Sequence, residues 1–184
     1  MNRYKRGALL ACICFCGALA AAVLVGLTYR ADAVEQGIFP AGPAPSPERR
    51  TTIPLSADLS ETVEQSAAHY GLDPALIYAV IEVESRGDPL ADNGRCVGLM
   101  QLDRQYTAAF CAGAHVQGIT GPADNIAAGC WWLSDLLDRY GGDTEHALAA
   151  YNLGAKKADE LWEMGARSTD YTHAVLEVMA GGEL

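Results

Sequence analysis

Basic residues are scarce in this chain, and all of its acidic residues lie beyond residue 30. Only 13 of 184 residues are Lys or Arg, against 23 Asp or Glu, for a formal net charge of −10. Beyond residue 30 there are 9 basic and 23 acidic residues, a net of −14. A phosphate backbone requires a basic patch, so nucleic acid is excluded as a partner. An acidic surface suits solubility outside the cell. Strand patterning is also missing: no segment alternates apolar and polar residues convincingly. What remains is a mainly α domain with at most a small irregular hairpin near residues 90–102. The four histidines never accompany the cysteines at zinc-ligand spacing, so no metal and no cofactor is expected.

Long apolar runs are absent except for one. Residues 7–29 carry no charge and are long enough to cross a bilayer as a helix. Arg3, Lys5 and Arg6 precede the run and only Arg30 follows closely, which keeps residues 1–6 in the cytoplasm and places the remainder outside it. The alternative is secretion after signal cleavage at Ala31-Asp32-Ala33. The run exceeds the roughly 7–15 apolar residues of a signal core, which favours an anchor in the cytoplasmic membrane. Residues 30–57 contain Pro40, Pro43, Pro45, Pro47 and Pro54 and read as an extended linker. Residues 58–184 form the remaining domain.

Helix signals then follow one another. Asp58 with Glu61 reads as a capping box, and Gly71 closes a stripe of Leu59, Val63, Ala67 and Tyr70. Asp73-Pro74 opens a second helix with an N-cap and a proline at its first position, and Gly87-Asp88-Pro89 stops it. Asp92-Asn93-Gly94 reads as a tight turn. A short helix is predicted over 104–111, a long one over 125–140, and others from Asp143 or Thr144 to about Asn152, over 155–164 and over 169–179. Trp131 and Trp132 are adjacent and should point different ways, with at most one in the core.

Glu84 is the residue that breaks the pattern. Ile77, Val80 and Ile81 stand seven, four and three positions before it, so all four share one helical face. Glu82 is rotated roughly 200° away. Burial and the negative end of the helix should both raise the pKa of Glu84, and a glutamic acid protonated near neutrality is a general acid. The competing reading is a helix-end carboxylate that turns to solvent or pairs with Arg86 or Arg95.

Four segments, the one with Glu84 among them, occur in a fixed order. Glu84-Ser85 is followed by Gly98-Leu99-Met100-Gln101, then by Pro122 with Asn125-Ile126 and Gly129, then by Ala149-Ala150-Tyr151-Asn152-Leu153-Gly154. Together they resemble the lytic transglycosylase domain of the soluble-transglycosylase type, which belongs with the goose-lysozyme-like fold. Ser168 with Tyr171 resembles that family's later Thr-X-X-Tyr pattern. The resemblance implies cleavage of the β-1,4 bond between N-acetylmuramic acid and N-acetylglucosamine in peptidoglycan glycan strands, leaving 1,6-anhydro ends. It implies Glu84 as single acid and base, with Ser85, Gln101, Tyr151, Asn152 and Tyr171 binding substrate and Met100 packed beneath the groove. A hydrolase of lysozyme type, or a wall-binding scaffold without turnover, is the alternative. Hydrolysis calls for a second carboxyl group, and Asp88, Asp92 and Asp103 are the candidates near Glu84. The family often has an aromatic residue at the position of Gly87, and the segment between Glu84 and Gly98 is about one residue short of its pattern. Of Cys96, Cys111 and Cys130, a Cys96–Cys130 disulfide would pin the loop before Gly98. A tethered wall-cutting enzyme would also serve a secretion or conjugation apparatus in the cell envelope.

Overall fold

A computed structural model describes residues 55–181, in which helices follow one another around a two-rung hairpin. In chain order the elements are α1 (Ala57–Tyr70), α2 (Pro74–Ser85), β1 (Cys96–Val97), β2 (Leu102–Asp103), a 3-10 turn (Arg104–Tyr106), α3 (Thr107–Ala114), α4 (Pro122–Arg139), α5 (Thr144–Leu153), α6 (Ala155–Glu163) and α7 (Asp170–Met179). Among the described residues no helix is long and apolar enough to cross a membrane. The apolar run at 7–29 and most of the linker lie outside them.

Helix α4 is the hub: α1, α3 and α5 all pack against it, while α2 packs on α7 and α5 on α6. Ile77 and Ile81 of α2, Ile126 and Leu133 of α4, Leu148 of α5 and Val175 of α7 are fully buried in one apolar cluster with Leu99 and Met100. At about 1.5–3 kcal/mol for each such side chain removed from water, this cluster is the main source of stability. A second, alanine-rich cluster of Leu136, Ala147, Ala149, Ala150 and Ala158 joins α4, α5 and α6.

Local chemistry fixes most helix ends. The Asp73 carboxylate accepts from Ala75 N at 2.9 Å, with Pro74 in the first turn. Asp143 accepts from His146 N, and Thr169 and Thr172 form a reciprocal capping box on α7. The start of α1 corrects the expectation. Ser56 is the cap, its hydroxyl accepting from Leu59 N, while Glu61 accepts from Gln65 instead of closing a box. Helix α4 begins three residues earlier than expected, because Pro122 fits a first turn that needs no N–H donor. The short helix expected over 104–111 is divided into the 3-10 turn and α3.

The hairpin is antiparallel, with Cys96 opposite Asp103 and Val97 opposite Leu102. Its connection, Gly98-Leu99-Met100-Gln101, is buried except for Gln101, since Leu99 and Met100 enter the core. Loop backbone inside a core needs polar partners. Asn125, itself fully buried, supplies them: its Oδ1 accepts from Met100 N at 2.8 Å, and its Nδ2 donates to Val97 O at 2.9 Å and Ile119 O at 2.8 Å. Gly98, at φ 78°, lies against this amide, and a Cβ there would come within 2.5 Å of its nitrogen. A Cβ on Gly129 would overlap the Met100 sulfur. The motif residues Gly98, Met100, Asn125 and Gly129 are thus one interlocked joint.

The expected disulfide is not formed: Cys96, Cys111 and Cys130 are free thiols. Cys130 is fully buried in the main core, where burial pushes its pKa far up and suppresses the thiolate that exchange requires. The loop before Gly98 is held by Asn125 instead.

Candidate active site

Glu84 occupies the last turn of α2, where α2 lies along α7, and its Oε1 accepts a hydrogen bond from Tyr171 Oη at 2.7 Å. Burial raises its pKa from 4.5 to about 7, and the Tyr171 hydrogen bond partly opposes that rise. Tyr171 itself is pushed well above 10, first by burial and then by the neighbouring Glu84 charge, so it stays a neutral donor. The alternative pairing is not adopted, because Arg95 Nε is engaged with Asp103 at 2.8 Å. The protonated and ionised forms of Glu84 are therefore close in energy at neutral pH, so this group could both give and take a proton.

Glu84 opens onto a cleft of about 710 Å³. One bank is the hairpin with Gln101, and the other is the junction of α5 and α6 with Tyr151, Asn152 and Gly154. Gln101 lines the cleft and also ties its own loop: its Nε2 donates to Gly98 O at 2.9 Å and Ala91 O at 3.1 Å, and its Oε1 accepts from Asn93 Nδ2. These bonds hold it at φ 45°, a left-handed conformation costing a non-glycine residue about 1–2 kcal/mol. Tyr151 Oη donates to Met100 O at 2.8 Å, so the tyrosine joins the α5 bank to the buried loop. Burial raises its pKa well above 10, with the charge of Glu84 next in effect. Asn152 is exposed on the cleft. Ser85 lies apart from these groups in role: its hydroxyl donates to Ile81 O at 3.1 Å within α2, and it is not among the residues lining the cleft.

The far end of the cleft is aromatic, which the sequence reading missed. Trp131 and Trp132 both line it, with ring centroids 6.0 Å apart and planes tilted by 35°. Each meets Phe110 edge to face, at 6.4 and 6.3 Å. Adjacent helix positions are only about 100° apart, so two long indoles can converge where they were expected to diverge. A Cβ on Gly113 would overlap the Trp131 ring, so this glycine lets α3 close against it. Such a surface suits the C–H faces of sugar rings. The adjacent Trp131 and Trp132 together with Phe110 were the available signal.

None of the three candidate second acids is free. Asp88 caps Leu90 N, and Asp92 is held near pKa 2 by the bidentate Arg104 pair at 2.8 and 2.7 Å. Only Asp103 shares the cleft with Glu84. Its Oδ1 accepts from Gln105 N and its Oδ2 from Arg95, which keep it ionised below the usual carboxylate range. Among the described residues no three His, Cys, Asp or Glu side chains converge to hold a metal ion.

Comparison with known proteins places this geometry. The chain is 37% identical over 121 residues to a transglycosylase of Enterobacteria phage PRD1, a match covering 64% of this chain and 41% of the phage protein. It is 36% identical over 110 residues to membrane-bound lytic murein transglycosylase C of Yersinia enterocolitica, covering 50% of this chain and 30% of that protein. The chain thus spans less than half the length of these relatives. Its fold matches lytic transglycosylase Slt of Pseudomonas aeruginosa, solved as an inactive mutant, with a TM-score of 0.55 at 22% identity over 69% of this chain and 21% of that one. The family model described as the transglycosylase SLT domain matches residues 61–172, which contain Glu84, the buried Gly98–Gln101 loop with its Asn125 support, Tyr151 and Tyr171. This chain belongs to the transglycosylase SLT domain family.

Proposed function

We propose that this chain is a peptidoglycan lytic transglycosylase that cuts the β-1,4 bond between N-acetylmuramic acid and N-acetylglucosamine without consuming water. One observation carries the reading: a carboxyl group with a pKa near 7 faces a sugar-sized cleft whose other carboxylate is locked in hydrogen bonds. Protonated Glu84 gives its proton to the glycosidic oxygen as the bond from muramic C1 breaks and the N-acetylglucosamine 4-hydroxyl departs. The resulting carboxylate takes the proton of the muramic 6-hydroxyl, whose oxygen closes on C1. Glu84 ends protonated, and the product is a 1,6-anhydro sugar. An internal nucleophile has a high effective concentration, so one protein carboxyl suffices. Gln101, Tyr151 and Asn152 line the groove for the strand, Tyr171 holds Glu84, and Ser85 stabilises the end of α2.

The test is mass analysis of the fragments released from cell wall. Anhydro ends one water lighter than hydrolytic ends support the reading. Incorporation of labelled solvent oxygen into the reducing ends identifies a hydrolase and overturns it. The commitment of both Asp103 oxygens speaks against the hydrolase, and the raised pKa of Glu84 speaks against a scaffold without turnover. We place the domain outside the cytoplasm, tethered by residues 7–29 through the linker, where it would serve wall remodelling or an envelope-spanning secretion or conjugation apparatus.

The pH dependence follows from the same site. The first step needs Glu84 protonated, so kcat/KM falls as pH rises through about 7. The Tyr171 hydrogen bond favours the carboxylate, so Tyr171→Phe moves that basic limb upward by about one pH unit. A pH–rate profile of both chains checks this. A role for Tyr171 in packing alone would lower the rate without moving the limb.

A further inference from the structure

Two cations line the cleft, and they are not equivalent. Arg95 is neutralised by Asp103 at 2.8 Å. Lys157, in the first turn of α6, lines the cleft and is exposed, and among the described residues no acidic side chain pairs with it. The next two acids along its helix are engaged elsewhere, Asp159 by Arg139 at 3.2 Å and Glu160 by Lys156 at 3.9 Å. An unpaired ammonium beside Gly154 and Ala155, on the bank that carries Asn152, is a local exception in a segment with a net charge of −14. A cation placed there offsets repulsion between an acidic protein and an anionic polymer, and does so only at the cleft.

Muramic acid supplies such an anion. Its lactyl arm ends either in its own carboxylate or in a short peptide that bears carboxylates. We infer that Lys157 is a specificity-determining residue that binds a carboxylate on the lactyl-peptide arm of the bound strand. This rests on the reading of the cleft as a glycan-strand site. Lys157 touches no reacting atom in this role. It selects strands by the charge they carry and sets their register over Glu84.

The experiment measures binding with the full chain carrying Glu84→Gln, so that turnover does not interfere. Three ligands are compared: short strands with stem peptides, strands with the peptides removed to leave the lactyl carboxylate, and strands whose stem carboxylates have been amidated. Lys157→Gln should weaken binding of a carboxylate-bearing ligand about fivefold at low salt, Lys157→Arg should restore it, and the amidated ligand should not respond. Dependence in the first ligand alone assigns the stem peptide, and dependence in the second alone assigns the lactyl group. Equal affinity of the Lys157→Gln and Lys157 chains for all three overturns the inference, as does the absence of binding to any of them. Lys157-dependent binding, with hydrolytic instead of anhydro ends released by the chain that retains Glu84, would sink the proposed reaction and leave this inference standing. Anhydro release with an inert Lys157 would do the reverse.

Discussion

Glu84→Gln should lower wall cleavage by at least about a thousandfold, because the variant can neither give nor take the proton on which both steps depend. The amide retains an oxygen that can accept from Tyr171, so the hydrogen bond that now measures 2.7 Å has a replacement acceptor. Folding should therefore survive, and its pH dependence should change in a defined way. The folded-state pKa of about 7 lies above the ordinary value of 4.5, so the native chain binds more protons than the unfolded chain between those limits. Stability contributed by this group is complete below about pH 4.5 and is lost as pH rises through about 7. Glu84→Gln removes that loss. Denaturation at pH 8 should show the variant more stable than the unsubstituted chain by about 1–3 kcal/mol, and the advantage should vanish near pH 4. Retained wall digestion would remove Glu84 from the mechanism. An advantage independent of pH would mean that Glu84 is not held in its neutral form by burial.

Asn125→Ala should be the most damaging substitution for stability. It removes three hydrogen bonds at once and strands Met100 N, Val97 O and Ile119 O beside a fully buried side-chain position. Each orphaned buried group costs about 1–3 kcal/mol, so a loss of about 3–5 kcal/mol is expected in urea denaturation. Activity should fall with it even in the folded fraction. Met100 O is the acceptor for Tyr151 Oη, so loosening the loop detaches one bank of the cleft from the other. A loss below about 1 kcal/mol would show that the loop is supported by its apolar contacts alone.

Glu84 was legible in the chain because a helix has a period. Ile77, Val80 and Ile81 reveal which face is wet, and a carboxyl on the wrong face stands out. Asp73-Pro74 was legible because N-cap chemistry is local. The cap of α1 was not, since Ser56 and Asp58 both suit the role and only the direction in which the chain enters decides between them. Arg86 was missed as the end of α2 because it takes the left-handed conformation at φ 53° without being glycine, just before Gly87. The order Gly98, Met100, Asn125 and Gly129 carried the family resemblance, yet not its physical reason. That reason is a contact between a buried hairpin tip and a helix more than twenty residues away. The aromatic end of the cleft is non-local in the same sense: Phe110 comes from α3, and Trp131 and Trp132 from α4. Spacing along one helix says nothing about where rings from two helices meet. A Cys96–Cys130 disulfide was expected to pin the loop before Gly98, but both cysteines are free thiols and Asn125 holds that loop through three hydrogen bonds that span 25, 28 and 6 residues.

The alanines at 147, 149, 150 and 158 have a further consequence. Each ends in a single methyl, so together they act as shims that set how far α5 and α6 stand from α4. The bank bearing Asn152 and Lys157 moves with those helices. Thickening one shim would widen the trough from behind, altering which ligands fit without changing any polar or aromatic group that lines it.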